Sequence, residues 1–124
     1  MSLLLDTHAV LWWLAGDSLE AGVAERIADP TVLVVVSAAS IWEAAVKQSL
    51  GKLTTPGPLG PAALDAGFEP LPIGFEHAQK AAELPRHHRD PFDRMLIAQA
   101  LIEGLTIVTR DPAFSHYEVQ IVSC

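Results

Sequence analysis

Five carboxylates in this chain fall where side chains can do chemistry. Asp6 ends the apolar run Leu3-Leu4-Leu5, and Glu43 lies inside the largely apolar segment Ser40-Ile41-Trp42-Glu43-Ala44-Ala45-Val46. Asp90 and Asp93 bracket Pro91-Phe92, and Asp111 follows the run Thr106-Ile107-Val108-Thr109-Arg110. Gathering such groups is costly: two like charges ~4 Å apart repel by roughly 4 kcal/mol at an effective dielectric of ~20. A cluster of this kind persists when a cation neutralises it or a proton sits on one member. Oxygen ligands favour hard cations, Mg²⁺ or Mn²⁺, which use few protein carboxylates and keep several waters. The chemistry open to such a site is phosphoryl chemistry, in which metal ions activate water and offset charge on the leaving oxygen.

Each acid also has an ordinary structural reading. Proline suits the first helical position, so Asp90 before Pro91 reads as an N-cap, with Asp93 one turn on and on about the same face. Both acids would then complement the positive end of the helix macrodipole. Asp6 could cap a helix following its strand, Glu43 could pair with Lys47 four residues along, and Asp111-Pro112 could open a turn. Arg89, Arg94 and Arg110 are candidates for phosphate contacts, with ion pairs to the neighbouring aspartates as the other reading. His87 and His88 have no paired ligand spacing, which argues against zinc and for solvated or phosphate-touching roles. His8, beside Asp6, could orient a carboxylate or be structural.

The elements that must position these residues follow from the apolar pattern. Leu3 to Leu5 reads as a buried strand, followed by a helix from Ala9 to Leu14 that Gly16 closes. Ser18 can cap a second helix, Leu19 to Ala28. Val32 to Val36 lacks alternation, the pattern of a strand buried on both faces. A helix starting at Ser37 or Ser40 carries Ile41, Ala44, Ala45 and Leu50 on its apolar side and ends at Gly51. Three prolines and two glycines between residues 54 and 61 mark a loop, with a short helix from Pro61 to Ala66. Pro70 and Pro72 limit Phe68 to Ile73 to an edge strand. Helices over Glu76–Leu84 and from Pro91 to Glu103 follow, then strands at Thr106–Thr109 and Val119–Val122.

Apolar runs alternating with helical patterns imply βαβ units, and hence an α/β fold: a three-layer α/β/α sandwich around a mainly parallel sheet of about four to five strands. In such sheets sites form beyond the carboxyl ends of the strands, near a topological switch point. Asp6 and Asp111 lie just past strand ends, and a helix amino end shares the edge at which its preceding strand finishes. The acids can therefore converge on one rim.

A length of 124 residues suits one domain, 1–124, and half the residues are hydrophobic, a globular composition. No apolar run can span a bilayer and no signal-peptide pattern opens the chain, so the expectation is a cytoplasmic protein without membrane association. The net charge of −7 argues against a broad nucleic-acid-binding surface. However, four of the eight Lys and Arg residues (Arg86, Arg89, Arg94 and Arg110) fall among the aspartates. The lone cysteine, Cys124, allows no intramolecular disulfide. Neither a Gly-rich phosphate loop nor a Gly-x-Ser-x-Gly elbow is present.

Four segments in order, Leu4-Leu5-Asp6-Thr7-His8, Ser40-Ile41-Trp42-Glu43, Asp90-Pro91-Phe92-Asp93-Arg94-Met95-Leu96-Ile97-Ala98-Gln99-Ala100 and Ile107-Val108-Thr109-Arg110-Asp111, resemble the PIN-domain family. More narrowly, they resemble the VapC toxins of type II toxin–antitoxin systems. The resemblance spans essentially the whole chain. It implies a Mg²⁺- or Mn²⁺-dependent endoribonuclease that hydrolyses RNA phosphodiester bonds with a metal-activated water, forms a homodimer, and is held inactive by a VapB-type antitoxin. Contact with DNA would come only indirectly, through the antitoxin. By position, Asp6, Glu43, Asp93 and Asp111 match the family's acidic quartet, and Asp90, from the Asp-Pro-Phe-Asp variant of the motif, is a further candidate metal ligand. The alternatives are a module that mainly binds its antitoxin and regulates an operator, and a metal-dependent phosphatase or DNA nuclease on the same scaffold.

Overall fold

A computed structural model describes residues 2–124. Five short strands form one sheet: β1 (Leu3–Leu5), β2 (Val34–Ser37), β3 (Glu69–Leu71), β4 (Thr106–Thr109) and β5 (Ile121–Ser123). Their order is β3-β2-β1-β4-β5 and every pairing is parallel. Leu3 is in register with Val34 on one side and Thr106 on the other. β1, β2 and β4 are buried along their whole length, as strands covered on both faces must be. Pro70 is tolerated in β3 because that strand is an edge.

Successive strand residues point to opposite faces and feed two separate cores. Leu3, Leu5, Val34, Val36 and Val108 pack with residues of α1 (Thr7–Ala15), α2 (Ala21–Ala28), α3 (Ala38–Ser49) and α4 (Leu59–Asp65). Leu4, Val35 and Ile107 point the other way, against α5 (Phe75–Glu83), α6 (Pro91–Glu103), Phe114 and Tyr117. The result is the expected three-layer α/β/α arrangement, with five strands. Among the described residues no helix is long and apolar enough to cross a membrane.

The differences from expectation lie at element ends and have local causes. α1 begins at Thr7, two residues early, because Asp6 is its N-cap, and Gly16 ends it with φ +78°. α2 starts at Ala21: Glu20, not Ser18, caps it, accepting from the amides of Gly22 and Val23. Leu50 is the C-cap of α3 and is 62% exposed, off the apolar face. α4 begins at Leu59, two residues before Pro61. A short 3₁₀ helix, Pro112–His116, separates β4 from β5.

Candidate metal centre

β1 has β2 on one side and β4 on the other, so the chain's direction of winding reverses between β1 and β4. Asp6 leaves the carboxyl end of β1 and Asp111 follows that of β4, on either side of this switch point. α3 starts directly from the end of β2 and brings Glu43 on its second turn, and the amino end of α6 brings Asp93. Topology therefore delivers all four acids to one rim of the sheet.

Each acid is held by its own contacts. Asp6 Oδ1 accepts from the Ala9 amide at 2.8 Å, and its Oδ2 accepts from Thr109 Oγ1 at 2.5 Å. That same Thr109 oxygen accepts from the Asp111 amide at 3.0 Å, tying the two strand-end acids together. Glu43 is buried; its Oε1 accepts from Thr7 Oγ1 at 2.6 Å and its Oε2 pairs with the half-buried Lys47 Nζ at 2.8 Å. Asp90 caps α6, accepting from the amides of Phe92 and Asp93 at 2.8 and 3.2 Å. Asp111 caps the 3₁₀ helix through the Ala113 amide at 2.9 Å. The structural readings of these acids thus hold, and they serve to aim the carboxylates.

Asp93 shares a 2.7 Å hydrogen bond with His88 Nε2. Ligand atoms of His88, Asp93 and Asp111 all lie within 4.8 Å of one another, close enough to converge on one cation. His88 is set in place by its own amide, which donates to Tyr117 Oη at 3.0 Å, and by its carbonyl, which accepts from Arg94 Nη1 at 3.3 Å. Adjacent histidines in a loop carry no ligand spacing, so sequence alone left His88 solvated or on phosphate; its link to Asp93 comes from tertiary structure.

Electrostatics marks the centre as short of positive charge. Burial, helped by the nearby Asp90 and Glu43, pushes the Asp93 carboxyl up to about 6 against the lowering effect of His88. Asp6 is also raised, chiefly by burial and in part by Glu43, although Thr109 and the Ala9 amide oppose this. Acids that hold protons this tightly, with oxygen donors and one imidazole converging, fit a divalent cation. His88, Asp93 and Asp111 would hold it, with Asp6 and Glu43 beside them. Asp90 stands behind as the helix cap, and like Asp6 and Glu43 it lies outside the set of ligand atoms that converge within 4.8 Å.

The arginines divide differently from the sequence reading. Arg94 is buried and donates to the carbonyls of Pro85, His88, Ala81 and Leu84 and to Tyr117 Oη. Its guanidinium is taken up by carbonyls and a phenol, with no aspartate among the described partners, and it ties the loop before α6 to α5. Arg110 donates to the carbonyls of Ser18 and Cys124 and lies 4.0 Å over the Trp12 ring. Arg89 is exposed and, with Arg86 and His88, borders a cleft of about 770 Å³ beside α6.

The PIN domain family profile matches residues 3–120. No curated protein matches the chain. Among solved structures, VapBC2 from Rickettsia felis bound to a DNA fragment from its promoter is similar with a TM-score of 0.75 at 15% identity, covering 100% of this chain and 99% of that one. DNA-bound VapBC from Salmonella typhimurium is similar with a TM-score of 0.70 at 20% identity, covering 99% and 98%. VapBC-5 from Mycobacterium tuberculosis is similar with a TM-score of 0.65 at 20% identity, covering 99% and 98%. With its parallel sheet, its switch-point acids and a profile match over nearly its whole length, the chain belongs to the PIN domain family.

Proposed function

We propose that this chain is a Mg²⁺- or Mn²⁺-dependent endoribonuclease, the toxin of a VapBC-type pair, with a VapB-type antitoxin as its partner. The observation that carries the reading is the gathering of Asp6, Glu43, Asp93 and Asp111 on the switch-point rim, with Asp6 buried, Asp93 partly buried and both carboxyls pushed up chiefly by that burial. Likeness to structures described as VapBC supports the choice of partner. A divalent cation, when bound there, supplies charge neutralisation and a nucleophilic water at neutral pH.

The protein's own groups do the positioning. Thr109 and the Ala9 amide fix both Asp6 oxygens, so this carboxylate cannot rotate. Thr7 and Lys47 do the same for Glu43. His88 holds Asp93 Oδ2, and the Asp90 cap fixes the turn from which Asp93 projects. Arg89, exposed on the adjacent cleft, would meet a phosphate of the strand.

The test compares single-stranded RNA, single-stranded DNA and a small phosphate ester as substrates, with Mg²⁺, Mn²⁺ or EDTA. Cleavage of RNA alone, abolished by EDTA and by Asp6→Ala, is the expected result. Preferred cleavage of DNA or the ester, or RNA cleavage that survives EDTA, would overturn the reading.

A further inference from the structure

α1 leaves directly from the carboxylate centre, since Asp6 is its N-cap. His8 is on its first turn and exposed; Trp12 is one turn on, on the same face. Their ring centroids are 5.7 Å apart with planes inclined by 32°. The Arg110 guanidinium lies 4.0 Å over the Trp12 ring, and its bonds to the Ser18 and Cys124 carbonyls keep it there. Arg110 itself stands between Thr109 and Asp111, the two residues that join the strand-end acids. An arc of flat, polarisable surface therefore runs outward from the metal centre.

His8 and Trp12 also border a groove of about 670 Å³ between α1 and the loop over residues 53–58, whose other walls include Leu11, Leu53 and Pro56. Its aromatic and aliphatic walls suit a planar heterocycle, and Thr54 and Asp17 on the same groove offer hydrogen-bonding groups to its edge. The chain is also poor in cations that could grip a phosphate backbone. Of its eight Lys and Arg residues, Arg94 is consumed by carbonyls, Arg110 by carbonyls and Trp12, and Lys47 by Glu43. Binding a strand with so little positive surface requires another source of affinity, and base stacking supplies it without regard to sequence.

We propose that the groove along α1, walled by His8 and Trp12, is a subsite for one unpaired nucleobase of the strand that is cut at the carboxylate centre. The proposal rests on the nuclease reading above. A duplex keeps its bases stacked on one another and offers none to the groove, so the subsite selects single-stranded substrate.

The probe is a short single-stranded RNA, intact or with one abasic position walked along it, titrated into the full-length Asp93→Asn variant while the Trp12 indole N–H is followed by NMR. The resonance is assigned from Trp12→Phe. Intact RNA should shift the Trp12 resonance, and an abasic site at one position should weaken binding about tenfold, the effect of losing one stacked base. Adding His8→Ala, at an exposed position where folding is not at stake, should cost about the same and make the abasic position silent. A Trp12 resonance that stays put at millimolar RNA, affinity that is indifferent to every abasic position, or a His8→Ala effect within about twofold would each overturn the subsite. A groove that receives a protein segment instead would give those overturning results. Failure of the wild-type chain to cleave RNA with Mg²⁺ would overturn the nuclease reading separately, and the titration is blind to cleavage.

Discussion

Asp93 illustrates what burial beside other carboxylates costs a single residue. Its folded-state pKa of about 6 lies above the ordinary 3.8, so the folded protein binds this proton more tightly than the unfolded chain does. The stability it contributes is full below about pH 4 and is lost as pH rises through about 6. Discounted for partial solvent exposure, the loss is about 2 kcal/mol. The metal-free melting temperature of wild type relative to Asp93→Asn should fall over that window. At neutral pH the variant, whose amide can still meet His88, should melt at or above the wild type. Its cleavage activity should drop by about 100-fold or more, since it removes a charge the cation needs. Melting curves across pH, read beside cleavage rates, check both. Arg94 is the opposite case, a charge used wholly for structure. Arg94→Met removes a donor from four carbonyls and a phenol, leaving the carbonyls of Ala81, Leu84 and His88 without this side-chain partner, and should cost about 3 kcal/mol in denaturant unfolding.

At the scale of elements, α3 and α6 must keep their relative placement, because one carries Glu43 and the other Asp93. Gln99, fully buried in α6, links them: its Oε1 accepts from Ser37 Oγ, the hydroxyl that caps α3, and its Nε2 donates to the Pro72 carbonyl at 3.2 Å. Gln99→Met keeps the volume and orphans both partners, so it should destabilise by about 2 kcal/mol in chemical denaturation. Gly104 ends α6 at φ +69°, and Gly104→Ala should cost about 1 kcal/mol through backbone strain alone, measured the same way. Elements whose signals are local were legible in the sequence: the uniform Val run of β2, the Asp90-Pro91 start of α6 and the Gly104 stop. The start of α2 was not, because Glu20 is a rarer cap than the Ser18 beside it. Nor was the 3₁₀ helix after Asp111, too short to show a period. Of the site, the positions of Asp6, Asp93 and Asp111 could be read from strand ends and a helix start, whereas Glu43, on the second turn of α3, was singled out only by its apolar surroundings and the family resemblance. The partners of His88 and Arg94 could not, since His88 meets Asp93 and Tyr117 and Arg94 meets the carbonyls of Ala81, Leu84, Pro85 and His88, contacts that no spacing along the chain encodes.

At the scale of the molecule, a net charge of −7 and a rim of acids look ill-suited to a polyanionic substrate. The switch point between β1 and β4 resolves this by concentrating negative charge where a cation can invert it locally, while Arg86 and Arg89 stand on the neighbouring cleft. The same acidic rim suits a basic segment of an antitoxin, which would compete with RNA for it. The central claim is that the acids are gathered to hold a divalent cation, and titration of Mn²⁺ into the metal-free protein at pH 7, followed by calorimetry and by melting temperature, tests it most directly. Saturable binding that raises the melting temperature by several degrees in wild type, and is lost in Asp93→Asn, is the predicted result. A wild-type melting temperature indifferent to Mn²⁺, or equal binding by the variant, would contradict the account.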